Sequence, residues 1–313
     1  MKDTAIVFDT NACRDICDSA QVTDPANEWK TYDAPLKSRG IVSFANPYVF
    51  MELMSHLADQ NDPAFNECRL AVVALYNLSA VNPHQVRILS DSETLVLRAL
   101  YGQTLPETDV TTQRICTLAL HIVENTPGVL DHKAIAACQE ILGHLSQVEQ
   151  QFISDVWQFV VQELNPSSTG WAPLENDEPM RNIVLNILRS ATMPQTIATA
   201  FVLKAMHQAQ VIESTAEVVS KAGFVGSTFP ASIHLYREIL NRIVETGCNL
   251  NKRKRANWIW DIQIAMGVGQ YIETVNKPLH LVTTDGDIVS AAEAAGCRQF
   301  VHSLPEFKTM IGI

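Results

Sequence analysis

Leu279-His280-Leu281-Val282-Thr283-Thr284-Asp285-Gly286-Asp287 is the stretch whose reading decides the fold class. Its first six residues (LHLVTT) form a short, β-branched apolar run of the kind that makes a buried strand. The run stops at an acid and a glycine, and Ile288 to Ala295 follows as an alanine-rich helix that Gly296 would end. Arg298 to His302 then reads as another strand. The opposite end of the chain repeats the arrangement. Ala5 to Phe8 is apolar and ends in Asp9-Thr10-Asn11, and Ile41 to Phe44 is closed by Asn46-Pro47, a good N-cap followed by a residue suited to the first helical position. A helix from Tyr48 to Leu57 follows. Strand and helix alternating at both termini predict an α/β fold with a parallel sheet and helices on its faces.

The middle differs. Pro63 to Glu245 is dominated by 3.6-residue periodicity and reads as an all-helical insertion, so the expected organisation is a discontinuous domain, 1-60 and 250-313, interrupted by residues 61-249. Ser90-Asp91-Ser92-Glu93 has the spacing of a capping box ahead of Thr94 to Tyr101. Asn165 to Pro179, rich in proline, serine and acids, is a candidate linker dividing the insertion near 165-179.

Composition bounds the function classes. With 47% hydrophobic and 18% charged residues, the 313-residue chain has ample material for a core. No apolar run approaches the ~20 residues of a membrane span. The opening MKDTAIVFDT places acids where a signal peptide needs an apolar stretch, so a cytoplasmic location is expected. Seven cysteines without a C-x-x-C pair argue for buried thiols over disulfides or a zinc knuckle. Twenty-three basic against 34 acidic residues, a net charge of −11, disfavour non-specific coating of DNA but leave room for a local basic patch.

Four acids stand out. Asp9 and Asp285 each end an apolar strand, and in an open parallel sheet ligands bind outside the carboxyl ends of the strands. A helix cap is the plainer role for either taken alone. Glu52 interrupts an otherwise apolar helix, and Asp261 is the only charge between Arg255 and Glu273, with Ile264, Ala265 and Val268 on its helical face. A charge on a packed face must be paired, protonated or bound to a metal. Converging carboxylates repel, by ~4 kcal/mol for a pair 4 Å apart at an effective dielectric of ~20, so the set calls for a divalent ion. Oxygen ligands alone suit Mg2+ or Mn2+.

Val7 to Asn11 (VFDTN), Ser43 to Leu53 (SFANPYVFMEL), Trp260 to Ala265 (WDIQIA) and Leu281 to Ile288 (LVTTDGDI), in this order, resemble the PIN domain family, and Val301 to Phe307 (VHSLPEF) resembles its closing segment. The resemblance covers roughly residues 1 to 60 and 250 to 313. It implies a three-layer α/β/α sandwich and a metal-dependent endoribonuclease that hydrolyses phosphodiester bonds with a metal-activated water. Asp9, Glu52, Asp261 and Asp285 would be the catalytic and metal-holding acids, Asp287 an auxiliary metal-holding acid, and Asn11 and Thr283 polar supports. The implied cofactor is Mg2+ or Mn2+ and the implied partner is nucleic acid, RNA first. The insertion is longer than the family's usual helices there, which points to regulation, a defence-like role or a dedicated protein partner.

Lys252-Arg253-Lys254-Arg255 is a run of four cations in an acidic chain. Placed just before Asp261, it is a candidate grip for the nucleic-acid backbone, with Trp258 and Trp260 as stacking surfaces unless they belong to the core. Two rival readings compete. A haloacid-dehalogenase-like phosphatase would need a second aspartate where this chain has Asn11. A non-catalytic interaction protein would have no need of all four acids.

Overall fold

A computed structural model describes residues 4–18, 23–104, 106–157, 176–246, 258–272 and 277–313. Four strands run parallel: β1 (Ala5–Phe8), β2 (Val42–Phe44), β6 (Lys277–Thr283) and β7 (Val301–Ser303), in spatial order β2-β1-β6-β7. The short β5 (Tyr271–Ile272) adds antiparallel to the start of β6. Register is tight at the centre, with Ala5 opposite both Val42 and Leu279, and Phe8 opposite Val282. Successive strand residues point to opposite faces, and all four residues of β1 are fully buried, so both faces of the sheet are covered. That is the expected α/β architecture with a parallel sheet.

Local chemistry sets the elements around the sheet. Asp9 caps α1 (Thr10–Ile16), and α2 (Trp29–Ser38) leads into β2. Asn46 caps α3 (Pro47–Ser55), its side chain accepting from the Tyr48 amide at 2.8 Å with Pro47 at the first turn. Asp285 caps α13 (Gly286–Ala294). After β7, Ser303 and Glu306 form a reciprocal capping box at the start of α14 (Leu304–Ile311). Phe307 of that helix packs edge-on against Phe8 of β1 at 5.5 Å. Arg298 to Phe300, expected to begin a strand, is instead a single 3-10 turn, and pairing with β6 starts only at Val301.

The chain between the two halves of the sheet comprises α4 (Phe65–Ser79), a β3 (Ala80–Asn82) and β4 (Gln85–Val86) hairpin, α5 (Ser92–Tyr101), α6 (Pro106–Glu124), α7 (His132–Trp157), α8 (Glu178–Leu188), α9 (Met193–Ala209), α10 (Thr215–Thr228) and α11 (Pro230–Glu245). Helix α12 (Trp258–Ala265) then precedes β5. The expectation that the insertion is all-helical is corrected by the β3–β4 hairpin. Just beyond it the backbone bridges in parallel to the end of β2, with the Ala45 amide donating to the Arg87 carbonyl and the Leu89 amide to the Ala45 carbonyl, each at 2.9 Å. Helix α4 packs on α1, α2, α3 and β2. The expected capping box at Ser90 is replaced by Asp91, whose side chain accepts from the Thr94 amide at 2.9 Å. Most of the candidate linker, 165–175, lies outside the described residues. No helix among the described residues is long and apolar enough to cross a membrane.

Candidate acid site at the sheet's switch point

Strand order reverses at β1: the chain passes to β2 on one side, and β6 and β7 lie on the other. Such a reversal leaves a crevice at the carboxyl ends of the two central strands. Asp9 follows β1, and Asp285 lies just beyond Thr283, the last residue of β6. Helices α3 and α12, which touch each other, bring Glu52 and Asp261. The acids at these four positions act on one another electrostatically: Asp9 feels Glu52 and Asp285, and Asp261 feels Asp285, Glu52, Asp9 and Asp287.

Asp9 is buried, 4% exposed. One carboxylate oxygen accepts from the Ala12 amide at 2.6 Å, and the other accepts from the Thr283 hydroxyl. Burial nonetheless pushes its pKa up to about 7, the two hydrogen bonds opposing the rise and the neighbouring acids adding to it. Glu52 is half-buried and accepts from the Thr10 hydroxyl at 2.5 Å. Burial raises its pKa, with the Thr10 bond, His56 and Arg14 acting the other way. Arg14 itself is engaged by Glu67 through two bonds, at 2.7 and 3.1 Å. Asp261 is held well above the ordinary carboxyl range by burial first and then by the surrounding carboxylates. Asp285 is half-buried and caps α13 through the Asp287 amide at 2.7 Å, while its own amide donates to the Thr283 hydroxyl at 2.9 Å. Thr283 thereby links Asp9 and Asp285.

The remaining candidates divide. Asp287 is exposed and pairs with Arg242 of α11 at 2.6 Å, a partner that sequence alone does not reveal because the two are 45 positions apart. Asn11, expected to support the acids, is exposed, and Thr10 beside it supports Glu52. Trp260 is 2% exposed, in tilted ring contact with Tyr48 at 5.5 Å and donating through Nε1 to Glu149 of α7 at 3.2 Å. It belongs to the core and offers no face to a base. Lys252, Arg253, Lys254 and Arg255 lie outside the described residues, as does the side chain of Trp258. Within the insertion, a cleft of about 1030 Å³ opens between α6 and α7, with Arg114, Lys133, Asp131 and Glu140 in its lining and Met51 of α3, next in sequence to Glu52, on one wall.

The donor set is oxygen-only, and its charges repel, which is the chemistry a hard divalent ion offsets. Among the described residues no three His, Cys, Asp or Glu side chains are gathered tightly enough to hold a metal ion as they stand. The acids meet through their fields across the crevice, with hydroxyls of Thr10 and Thr283 holding two of them. No protein-family model, no curated protein and no solved structure matches the chain.

Proposed function

We propose that the chain is a PIN-like, Mg2+- or Mn2+-dependent endoribonuclease acting at Asp9, Glu52, Asp261 and Asp285. The observation that carries the reading is the mutual action of these four carboxylates at the switch point of a parallel sheet, with Asp9 and Asp261 both raised by burial and by their acidic neighbours. Among the described residues, Arg14 and Arg242 are each bonded to a carboxylate outside these four, Glu67 and Asp287.

A bound divalent ion would lower the pKa of water toward neutrality and offset charge on the phosphoryl group in the transition state. The chain's own residues supply the rest. Asp9, Glu52, Asp261 and Asp285 would hold the ion, with Thr283 fixing Asp9 and Thr10 fixing Glu52. A carboxyl with a pKa near 7 loses its proton when a cation arrives, so ion uptake is coupled to proton release. RNA, with its polyanionic backbone, is the substrate class that a cation in an acidic crevice admits. The basic run 252–255 would grip the strand's backbone.

The test is incubation of single-stranded RNA with the wild type and with Asp9→Asn, each with Mg2+, with Mn2+ and with EDTA, followed by sequencing of the RNA ends. Ends that appear only with the wild type and a divalent ion support the reading. Cleavage that survives EDTA, or is undiminished in Asp9→Asn, overturns it. Intact RNA with tight binding to a protein partner would favour the interaction-protein alternative, and release of inorganic phosphate from small monoesters would favour the phosphatase.

A further inference from the structure

We infer that Glu149, on helix α7 of the central insertion, is a positioning residue for the acid site, acting through Trp260 on the helix that carries Asp261. The inference rests on the nuclease reading above and extends it, since it gives the central insertion a hold on one of the site acids.

Three elements converge on one indole. Trp260 precedes Asp261 on α12, its ring lies against Tyr48 at 5.5 Å, and its Nε1 donates to Glu149 at 3.2 Å. Tyr48 is one helical turn before Glu52 on α3, so the ring contact ties together the two helices that carry site acids. Helix α7 lies along α3 and the turn that follows it. The side chain of Glu149 is also near enough for its charge to act on Glu52. A buried indole N–H without an acceptor is costly, and a carboxylate acceptor makes the bond charge-assisted. Glu149 therefore fixes the rotation of the Trp260 ring, and with it the position of α12 from which Asp261 is presented.

Placing the acceptor on α7 gives the insertion a direct hold on the site. Any partner that shifts α7 would change the presentation of Asp261 without touching substrate. A surface glutamate serving only solubility would have no need of this bond, and a core tryptophan could have been served by a backbone carbonyl nearby in sequence.

The experiment uses the full chain and four variants: Glu149→Ala, Glu149→Gln, which keeps an oxygen acceptor, Trp260→Phe, which keeps an aromatic ring and removes the donor, and the double variant Glu149→Ala/Trp260→Phe. The indole N–H resonance of Trp260, identified by its loss in Trp260→Phe, should move upfield in Glu149→Ala and stay near its wild-type position in Glu149→Gln. Calorimetric titration should show Mn2+ bound several-fold more weakly by Glu149→Ala. With Mn2+ and single-stranded RNA, Glu149→Ala and Trp260→Phe should each lower kcat about tenfold with KM within about twofold, the double variant being no worse than either, while Glu149→Gln stays within about threefold of wild type. Should Glu149→Ala fail to fold, Trp260→Phe against Glu149→Gln carries the same comparison. An unmoved indole resonance, or a Glu149→Ala variant that binds Mn2+ and cleaves like wild type, overturns the positioning role alone. Equal impairment of the Gln and Ala variants also overturns it, because charge and not the acceptor would then be what matters. A wild type that neither binds Mn2+ nor cleaves RNA overturns the nuclease reading, and this inference falls with it.

Discussion

The hydroxyl of Thr283 donates to a carboxylate oxygen of Asp9, joining two residues 274 positions apart at the carboxyl ends of paired strands β6 and β1. The same hydroxyl accepts from the Asp285 amide at 2.9 Å. One threonine thus orients both strand-end acids, and it is fully buried, so no water replaces it freely. A hydrogen bond to a charged group contributes about 1.5–3 kcal/mol. Thr283→Val is expected to lower cleavage by about tenfold or more and to weaken Mn2+ binding in calorimetry, whereas Thr283→Ser keeps the donor and stays within about threefold. Equal behaviour of the two variants would show that the hydroxyl is not what orients Asp9.

Asp9 also sets a stability profile. Its carboxyl pKa is 3.8 in ordinary surroundings and about 7 in the fold, so the folded state holds a proton that the unfolded chain has already released between those values. The fold is spared the penalty below pH 3.8 and incurs it progressively as pH rises to about 7; the full shift corresponds to about 4 kcal/mol. Without divalent ions the protein should therefore lose Tm between pH 5 and pH 7.5, and Asp9→Asn should flatten that decline and raise Tm at pH 7.5 by several degrees. Added Mn2+ should raise the wild-type Tm more at pH 7.5 than at pH 5.5. These comparisons need only thermal melts, and a wild type as stable at pH 7.5 as at pH 5 would contradict them.

Asp287 and Asp285 are expected to differ. Asp287 is exposed and shares an ion pair with Arg242, while Asp285 is half-buried and bonded to Thr283 through its amide. Exposed pairs contribute at most about 1 kcal/mol. Asp287→Asn should leave Tm nearly unchanged and reduce kcat by a few-fold, and Asp285→Asn should abolish cleavage. Kinetics on the two variants in parallel decide whether Asp287 holds metal or only steadies α11 against α13.

The two strand-end acids were legible because their cause is local. A short apolar run ended by an acid is at once a strand end and a helix cap, and Asp9 and Asp285 are both. Glu52 and Asp261 were legible as charges on apolar faces. What escaped was non-local. Thr10 reaches Glu52 only because α3 packs beside α1, and Asn11, the neighbour that looked the better support, is exposed. Trp260 reads equally well as a stacking surface until α7, 111 positions earlier in the chain, supplies Glu149 as its acceptor. The β3–β4 hairpin left little periodic signal because Val81 is half exposed and the strands are only three and two residues long. The Asn82-Pro83 turn dipeptide was its one local mark. At the start of α5, Ser90 and Asp91 are both able caps; the choice of Asp91 accompanies a contact between Ser92 and Gln263 of α12, which no local window contains.

The basic run Lys252-Arg253-Lys254-Arg255 provides the test of the nucleic-acid partner. It ends three residues before α12, the helix that carries Asp261, in a chain whose net charge is −11. The sequence places these cations ahead of the helix that carries Asp261, where a strand of RNA entering the acid crevice would supply an anion for them. Replacing all four residues with Gln should weaken binding of single-stranded RNA of any sequence and flatten the slope of log K against log salt by up to ~0.7 for each phosphate that the variant no longer neutralises. KM should rise more than kcat falls, because backbone contacts hold substrate and transition state alike. Fluorescence anisotropy across a salt series, with Mn2+ replaced by Ca2+ to prevent turnover, reads the slope directly. A quadruple variant with the wild-type slope would assign the run to the solvated surface.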